Sequence, residues 1–277
     1  MKKNENFVIY LIIMLMLFSC ILIPSKNVEA DSYTGEDLAN AMLADPTTLV
    51  SSSYWDTDSS GNRQASVESS LGTMLPTQGS TFALLSTGIA GAVPVTTNQL
   101  DPGDESGTWF GKRKPDWWET FDESKLTLQL RVPENMHYLY YDVQFFTCEY
   151  PDYIGSIYND KLTITVYSPT LGETSTHIID VNGGDFVLNA HDIPDTGYDV
   201  FAVSQWSGNP TDPSQVDWLT RKPGTYNADA GATALVSREH AVHPLEIVTF
   251  TIDIKDAGDN IFDSTVFIDN LMFSGFA

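Results

Sequence analysis

Two short stretches hold most of the side chains that could do chemistry. In FFTCEYPDYIGSIYND, residues 145–160, Glu149, Asp152 and Asp160 stand among Tyr150, Tyr153 and Tyr158 with no Lys, Arg or His between them. In DAGDNIFDS, residues 256–264, Asp256, Asp259 and Asp263 surround Gly258 just after a strand-like run. Carboxylates this dense on a strand-to-strand loop repel one another unless a cation lies among them. Calcium suits such a loop, because it accepts about six to eight hard oxygens in flexible geometry from Asp, Asn and backbone carbonyls. Spacing alone leaves a cation site and a solvated turn in an acidic protein both open.

Other constellations are weaker. DVNGGDFVLNAHD, residues 180–192, offers Asp180, Asn182, Asp185 and Asp192. Against an EF-hand loop its later ligands are displaced by one position, and its flanks alternate as strands, so a β-hairpin with a Gly183-Gly184 turn is the expectation. Aromatic residues form a third candidate: Trp109, Trp117, Trp118, Trp206 and Trp218 fall in or beside loops, and Tyr150 and Tyr153 adjoin the acids. A ring face can stack on a pyranose, which makes Trp117, Trp118, Tyr150 and Tyr153 candidate sugar contacts, although large rings also cap the ends of sandwiches. Glu149 with a neighbouring Asp could serve as the acid and base of a glycosidase. No nucleophile elbow, zinc motif or phosphate loop is present. His240 and His243 adjoin Pro244 away from any helix pattern, which disfavours a transition-metal site.

The elements that must position these residues are mostly strands. A helix is predicted over 35–44, capped by Thr34 with Asp37 three residues on, apolar at Leu38, Ala41 and Met42, and stopped before Pro46. Residues 51–80 are rich in Ser, Thr, Gly and Gln and read as loops or weak strands, and 81–90 as a buried strand. A Pro-bearing loop is predicted over 94–119. Alternation or β-branched and aromatic density then marks strands at 125–132, 138–146, 161–168, 175–181, 185–190, 247–256 and 264–273. No helix-length apolar stripe follows residue 44, and neither an internal repeat nor a dividing linker is present. Many short strands with Gly and Pro turns predict an all-β, jelly-roll-like β-sandwich.

The chain as a whole narrows the setting. Lys2 and Lys3 precede an apolar run from Phe7 to Ile23, and Ala30 offers a small residue for cleavage, so residues 1–30 read as a secretory signal and 31–277 as one domain. Retention of the run as an anchor is the alternative. The 277-residue chain carries a net charge of −23. Cleavage after Ala30 leaves 11 Lys and Arg against 35 acids, a net charge of −24. Such a surface repels phosphate backbones and anionic lipid, which excludes nucleic acid and membrane as partners, and it favours divalent cations. Of two cysteines only Cys148 survives cleavage, so no internal disulfide forms and Cys148 reads as a small packed residue.

The same two stretches, YDVQFFTCEYPDYIGSIYND and TIDIKDAGDNIFDSTVFIDNLMF, resemble the signature regions of the choice-of-anchor L domain family. The likeness runs through Glu149-Tyr150, Asp152-Tyr153-Ile154-Gly155-Ser156 and Asn159-Asp160, then Asp256-Ala257-Gly258-Asp259 and Asp263-Ser264. LANAML (38–43), LLSTG (84–88) and TFDESKLTLQLRVPE (120–134) follow the family's order. The resemblance implies a secreted, β-rich domain and names no activity. Cys148 stands where the family phrase carries Glu, and FSGFA ends the sequence where the family has a sorting signal. Taken with the spacing, it leads to one expectation: two strand-end loops, 149–160 and 256–263, share calcium at one edge of the sandwich. Glu149, Asp160, Asp256 and Asp263 are the expected ligands, with Asn159 and Asp259 as ligands or supports. The expected function is a secreted or cell-surface, calcium-stabilised binding or adhesion module for polysaccharide or a surface protein. A glycoside-active enzyme and a structural envelope protein are the alternatives.

Overall fold

Alternation of apolar and polar residues at period two puts one side of each strand in a core and the other in solvent. In the computed structural model, which describes residues 33–57, 64–70, 74–88, 90, 120–147, 149, 154–184, 186–187, 231–258 and 263–275, that pattern builds two stacked sheets. The order is α1 (Gly35–Met42), a 3-10 turn (Pro46–Thr48), β1 (Leu49–Asp56), β2 (Ala65–Glu68), β3 (Phe82–Ser86), β4 (Thr120–Arg131) and β5 (Tyr138–Thr147). It continues through β6 (Lys161–Ser168), β7 (Glu173–Asp180), β8 (Phe186–Val187), β9 (Gly231–Thr233), β10 (Val236–Ala241), β11 (Ile247–Ala257) and β12 (Ser264–Ser274).

One sheet runs β1-β4-β11-β6-β7; the other runs β2-β3-β12-β5-β9-β8, with β10 also on β5. Every pairing between named strands is antiparallel. Leu126, Leu128, Ile164, Phe250, Ile252 and their neighbours face Tyr141, Val143, Phe145, Val266 and Ile268 across the core. Helix α1 packs Leu38 and Met42 into that core beside β1, β2, β3 and β12. Thr34 caps it through the Asp37 amide, and Asp37 returns the bond to the Thr34 amide at 2.8 Å, as the Thr/Asp spacing predicts. All described residues fall within one compact unit, Asp31–Ala277.

The all-β sandwich expected from the pattern is the architecture found. Three details differ from expectation. Ser-rich 49–56 is a full strand in register with β4, and β4 itself begins at Thr120 rather than 125. Polar β9 and β10 carry no strand pattern in sequence. The hairpin at Gly183-Gly184 does not form: β7 pairs with β6 in one sheet and β8 with β9 in the other. There the Asp180 carboxylate accepts the Gly183 amide at 2.7 Å and the Asp180 carbonyl accepts the Gly184 amide at 2.7 Å, a side-chain-closed turn after which the chain changes sheets. The Pro-bearing segment 94–119, and most of 185–190, lie outside the described residues.

Candidate functional site

The inward positions of β11 are Val248, Phe250, Ile252 and Ile254, so the next inward position is Asp256. On β6 they are Leu162, Ile164 and Val166, and one step back is Asp160. Ile254 pairs with Leu162 and Lys255 with Lys161. One more rung sets Asp256 beside Asp160, and the bond from the Asn159 amide to the Ala257 carbonyl, 3.2 Å, continues the ladder at the rung beyond. Two acids thus sit in register on the buried face, where like charges destabilise a ladder. Lys161 and Lys255 occupy the alternate, outward positions.

The second sheet closes over this pair. Ser264, the first residue of β12, donates from Oγ to Asp160 Oδ2 at 2.5 Å and lies 2.9 Å from Thr147 Oγ1 at the end of β5. Asp160 Oδ1 accepts the Ala257 amide at 3.1 Å. Thr147 Oγ1 accepts the Glu149 amide at 3.1 Å, turning Glu149 into the same end of the sandwich. Asp263 lies against Gly88: a Cβ on Gly88 would stand 1.9 Å from Asp263 Oδ2. Glu149, Asp160 and Asp256 are 0 % exposed and Asp263 2 %. The two loops therefore converge at one end of the molecule, each where the chain crosses between sheets.

Two acids not singled out from the sequence join them. Asp122 adopts a left-handed backbone (φ 44°), and the ladder of β4 against β11 slips between Ile254 and Asp256. That bulge leaves Asp122, Glu123 and Ser124 all buried in succession. Gln64 locks the bulge: its amide nitrogen reaches the carbonyls of Asp122 (2.7 Å), Thr87 (2.8 Å) and Ser86 (3.2 Å), while Oε1 accepts the Thr57 amide. The sequence signal was the acid pair opening an otherwise alternating strand.

Asn159 is half-buried and its side-chain oxygen accepts the Asn182 amide at 2.8 Å, while Asn182 also bonds the Gly155 amide and the Ser156 carbonyl. These bonds tie the 154–159 segment to the turn after β7. Cys148, Tyr150, Asp152, Tyr153, Asp185, Asp192, Asp259, Trp109, Trp117, Trp118, Trp206 and Trp218 lie outside the described residues. Among the described residues, no three His, Cys, Asp or Glu side chains stand together at metal-ligating distance.

A second titratable cluster links the edge strands β7 and β10 of opposite sheets. His240 Nδ1 is 2.6 Å from Ser175 Oγ, and Nε2 is 3.2 Å from the Tyr141 hydroxyl. Burial, reinforced by the Arg238 charge and then His240, lowers the His177 pKa to about 4, and burial pushes that of Tyr141 up.

No protein-family model matches the sequence, and no curated protein does. Solved structures match at the level of the sandwich. TmCBM61, solved with β-1,4-galactotriose, shares 10 % identity over 88 % of this chain and 97 % of its own, with a TM-score of 0.31. A family 16 carbohydrate-binding module shares 8 % over 76 % and 86 %, with a TM-score of 0.28. The enzymatically active domain of a bacteriophage CBA120 tailspike protein shares 10 % over 88 % of this chain and 21 % of its own, with a TM-score of 0.27. The likeness is of fold alone. Among the described residues no helix is long and apolar enough to cross a membrane.

Proposed function

We propose that the chain is an extracellular binding module of the choice-of-anchor L kind, stabilised by calcium at its acid end and taking polysaccharide as its ligand. The observation that supports it most is the rung that sets Asp160 beside Asp256 on the buried face, with Glu149, Asp263, Asp122 and Glu123 buried at the same end. Burying like charges together is costly, and a divalent cation converts the repulsion into attraction. Carboxylates, Ser and Thr hydroxyls and backbone carbonyls are hard donors, which select calcium over zinc or copper. Glu149, Asp160, Asp256 and Asp263 supply the charge, with Asp259 next in sequence, and binding draws their carboxylates closer together.

The loop rings Trp117 and Trp118, with Tyr150 and Tyr153 beside the acids in sequence, fit a sugar ligand by stacking. Catalysis fits less well. A general acid must reach the glycosidic oxygen, and Glu149 is fully buried.

Calorimetric titration of chelator-treated protein tests the cation. Calcium at about a hundred times its dissociation constant is expected to add about 2.7 kcal/mol of stability. For a chain of this size that raises the melting temperature by roughly 5–10 °C. A titration without heat, with melting indifferent to chelator, overturns the calcium reading. Failure to retain any glycan on a soluble-polysaccharide array overturns the ligand reading.

A further inference from the structure

The outward positions of the sheet β1-β4-β11-β6-β7 carry an ordered pattern that the acid end does not use. Ser53 pairs with Thr127, Thr127 with Thr251, Thr251 with Thr165, and Thr165 with Thr176. One row of five hydroxyls therefore crosses all five strands, and the Thr127 and Thr251 oxygens are 3.5 Å apart. The next row contains Gln129, Thr249 and Thr174, and the row on the other side contains Thr163 and, at its edge, the exposed Ile178. Strands about 4.8 Å apart with same-face residues about 6.7 Å apart make this a regular lattice of short polar groups and methyls.

Two rings stand within it. Trp55 on β1 is 46 % exposed and Tyr167 on β6 is 43 % exposed. Three strand spacings, about 14 Å, separate their strands, and two same-face steps, about 13 Å, separate their rows, one on each side of the hydroxyl row. The charges in these rows cancel, since Lys125 and Asp253 form an ion pair at 3.3 Å. A neutral face on a chain of net charge −23 is where an uncharged polymer meets least conflict. A second copy of the chain fits poorly, because stable protein interfaces are built on apolar cores and this face is hydroxyl-rich.

We infer that this face is a platform for an uncharged polysaccharide, lying across the strands with sugar rings stacked on Trp55 and Tyr167 and its hydroxyls exchanging bonds with the Ser53–Thr176 row. The inference rests on the polysaccharide reading above and moves its site from the loop aromatics to a sheet face.

Soluble β-glucan, galactan, mannan and xylan are titrated into the full chain and into Trp55→Ala, Tyr167→Ala, Thr251→Glu and, as a control outside the face, Leu75→Ser. Wild type and Leu75→Ser are expected to bind the same polymer equally. Trp55→Ala and Tyr167→Ala each weaken binding about tenfold, and Thr251→Glu abolishes it, all with melting within a few degrees of wild type. Wild-type binding that survives all three face variants overturns the platform and leaves the polysaccharide reading standing. No binding by wild type to any of the four polymers overturns both. Concentration-dependent dimers in sedimentation that Thr251→Glu abolishes, without glycan binding, assign the face to self-contact and overturn the proposal.

Discussion

Replacing Ser264 by Ala removes the hydroxyl that donates to Asp160 Oδ2 and touches Thr147 Oγ1. Loss of a hydrogen bond to a buried charged group costs about 1.5–3 kcal/mol, to be read from the urea midpoint at unchanged slope. Gly258 is the second sensitive position. Its φ of 101° is closed to other residues, and a Cβ there would stand 2.8 Å from the Ile157 carbonyl oxygen. Gly258→Ala is expected to destabilise by about 1–3 kcal/mol and to weaken calcium binding with it, because the turn joins Asp256 to the loop that follows. At this scale the sequence shows where acids cluster and not which way they face. Asp160 and Asp256 become inward residues only once the strand parity of β6 and β11 is extended past their ends. The joint burial of Asp122 and Glu123 was hidden for a different reason: the acid pair is visible, but a bulge breaks the parity, so neighbours in sequence are buried together.

Between elements, the contact of β7 with β10 carries a pH dependence. His177 is held near a pKa of about 4 by burial, with the positive Arg238 and His240 adding to it. His240 is lowered by burial and Arg238 against an opposing pull from Glu239, and it faces Ser175 and Tyr141. The unfolded chain binds a proton on His177 between about pH 6.5 and 4 that the folded chain refuses. Stability from this ring is therefore complete above pH 6.5 and is lost as the pH falls to about 4. The loss is about 1–2 kcal/mol once solvent screening at a half-buried ring is allowed for. Thermal melts of wild type and His177→Gln between pH 7 and 4.5 check this, and the variant is expected to show the flatter slope. The strands whose inward positions are mostly apolar, β4, β6, β11 and β12, were legible from alternation. β1 and β10 were not, because an edge strand such as β1 can carry Ser and Trp outward while contributing little to the core. The switch of sheets after β7 was hidden for a related reason: Gly-Gly signals a turn and says nothing about which sheet receives the next strand.

At the scale of the molecule, the sandwich separates its tasks by place: a core of Leu, Ile, Val and Phe between sheets, an acid end where the chain crosses over, and a hydroxyl-bearing outer face. Truncation in the middle of that core, such as Phe250→Ala, is expected to cost about 3–5 kcal/mol by calorimetry. It should leave calcium affinity unchanged, since core and acid end do not share side chains.

The ties at the acid end join residues distant along the polymer: Gln64 to Asp122, Thr87 to Asp263, Asp160 to Ser264. Contacts of such long sequence separation close late, after most loop entropy has been spent. On the proposed calcium reading, an ion bound there would be absent from the folding transition state and would act as a latch. In stopped-flow experiments calcium should slow unfolding in proportion to the stability it adds while refolding rates barely move. On the proposed reading the protein would gain longevity without becoming faster to assemble.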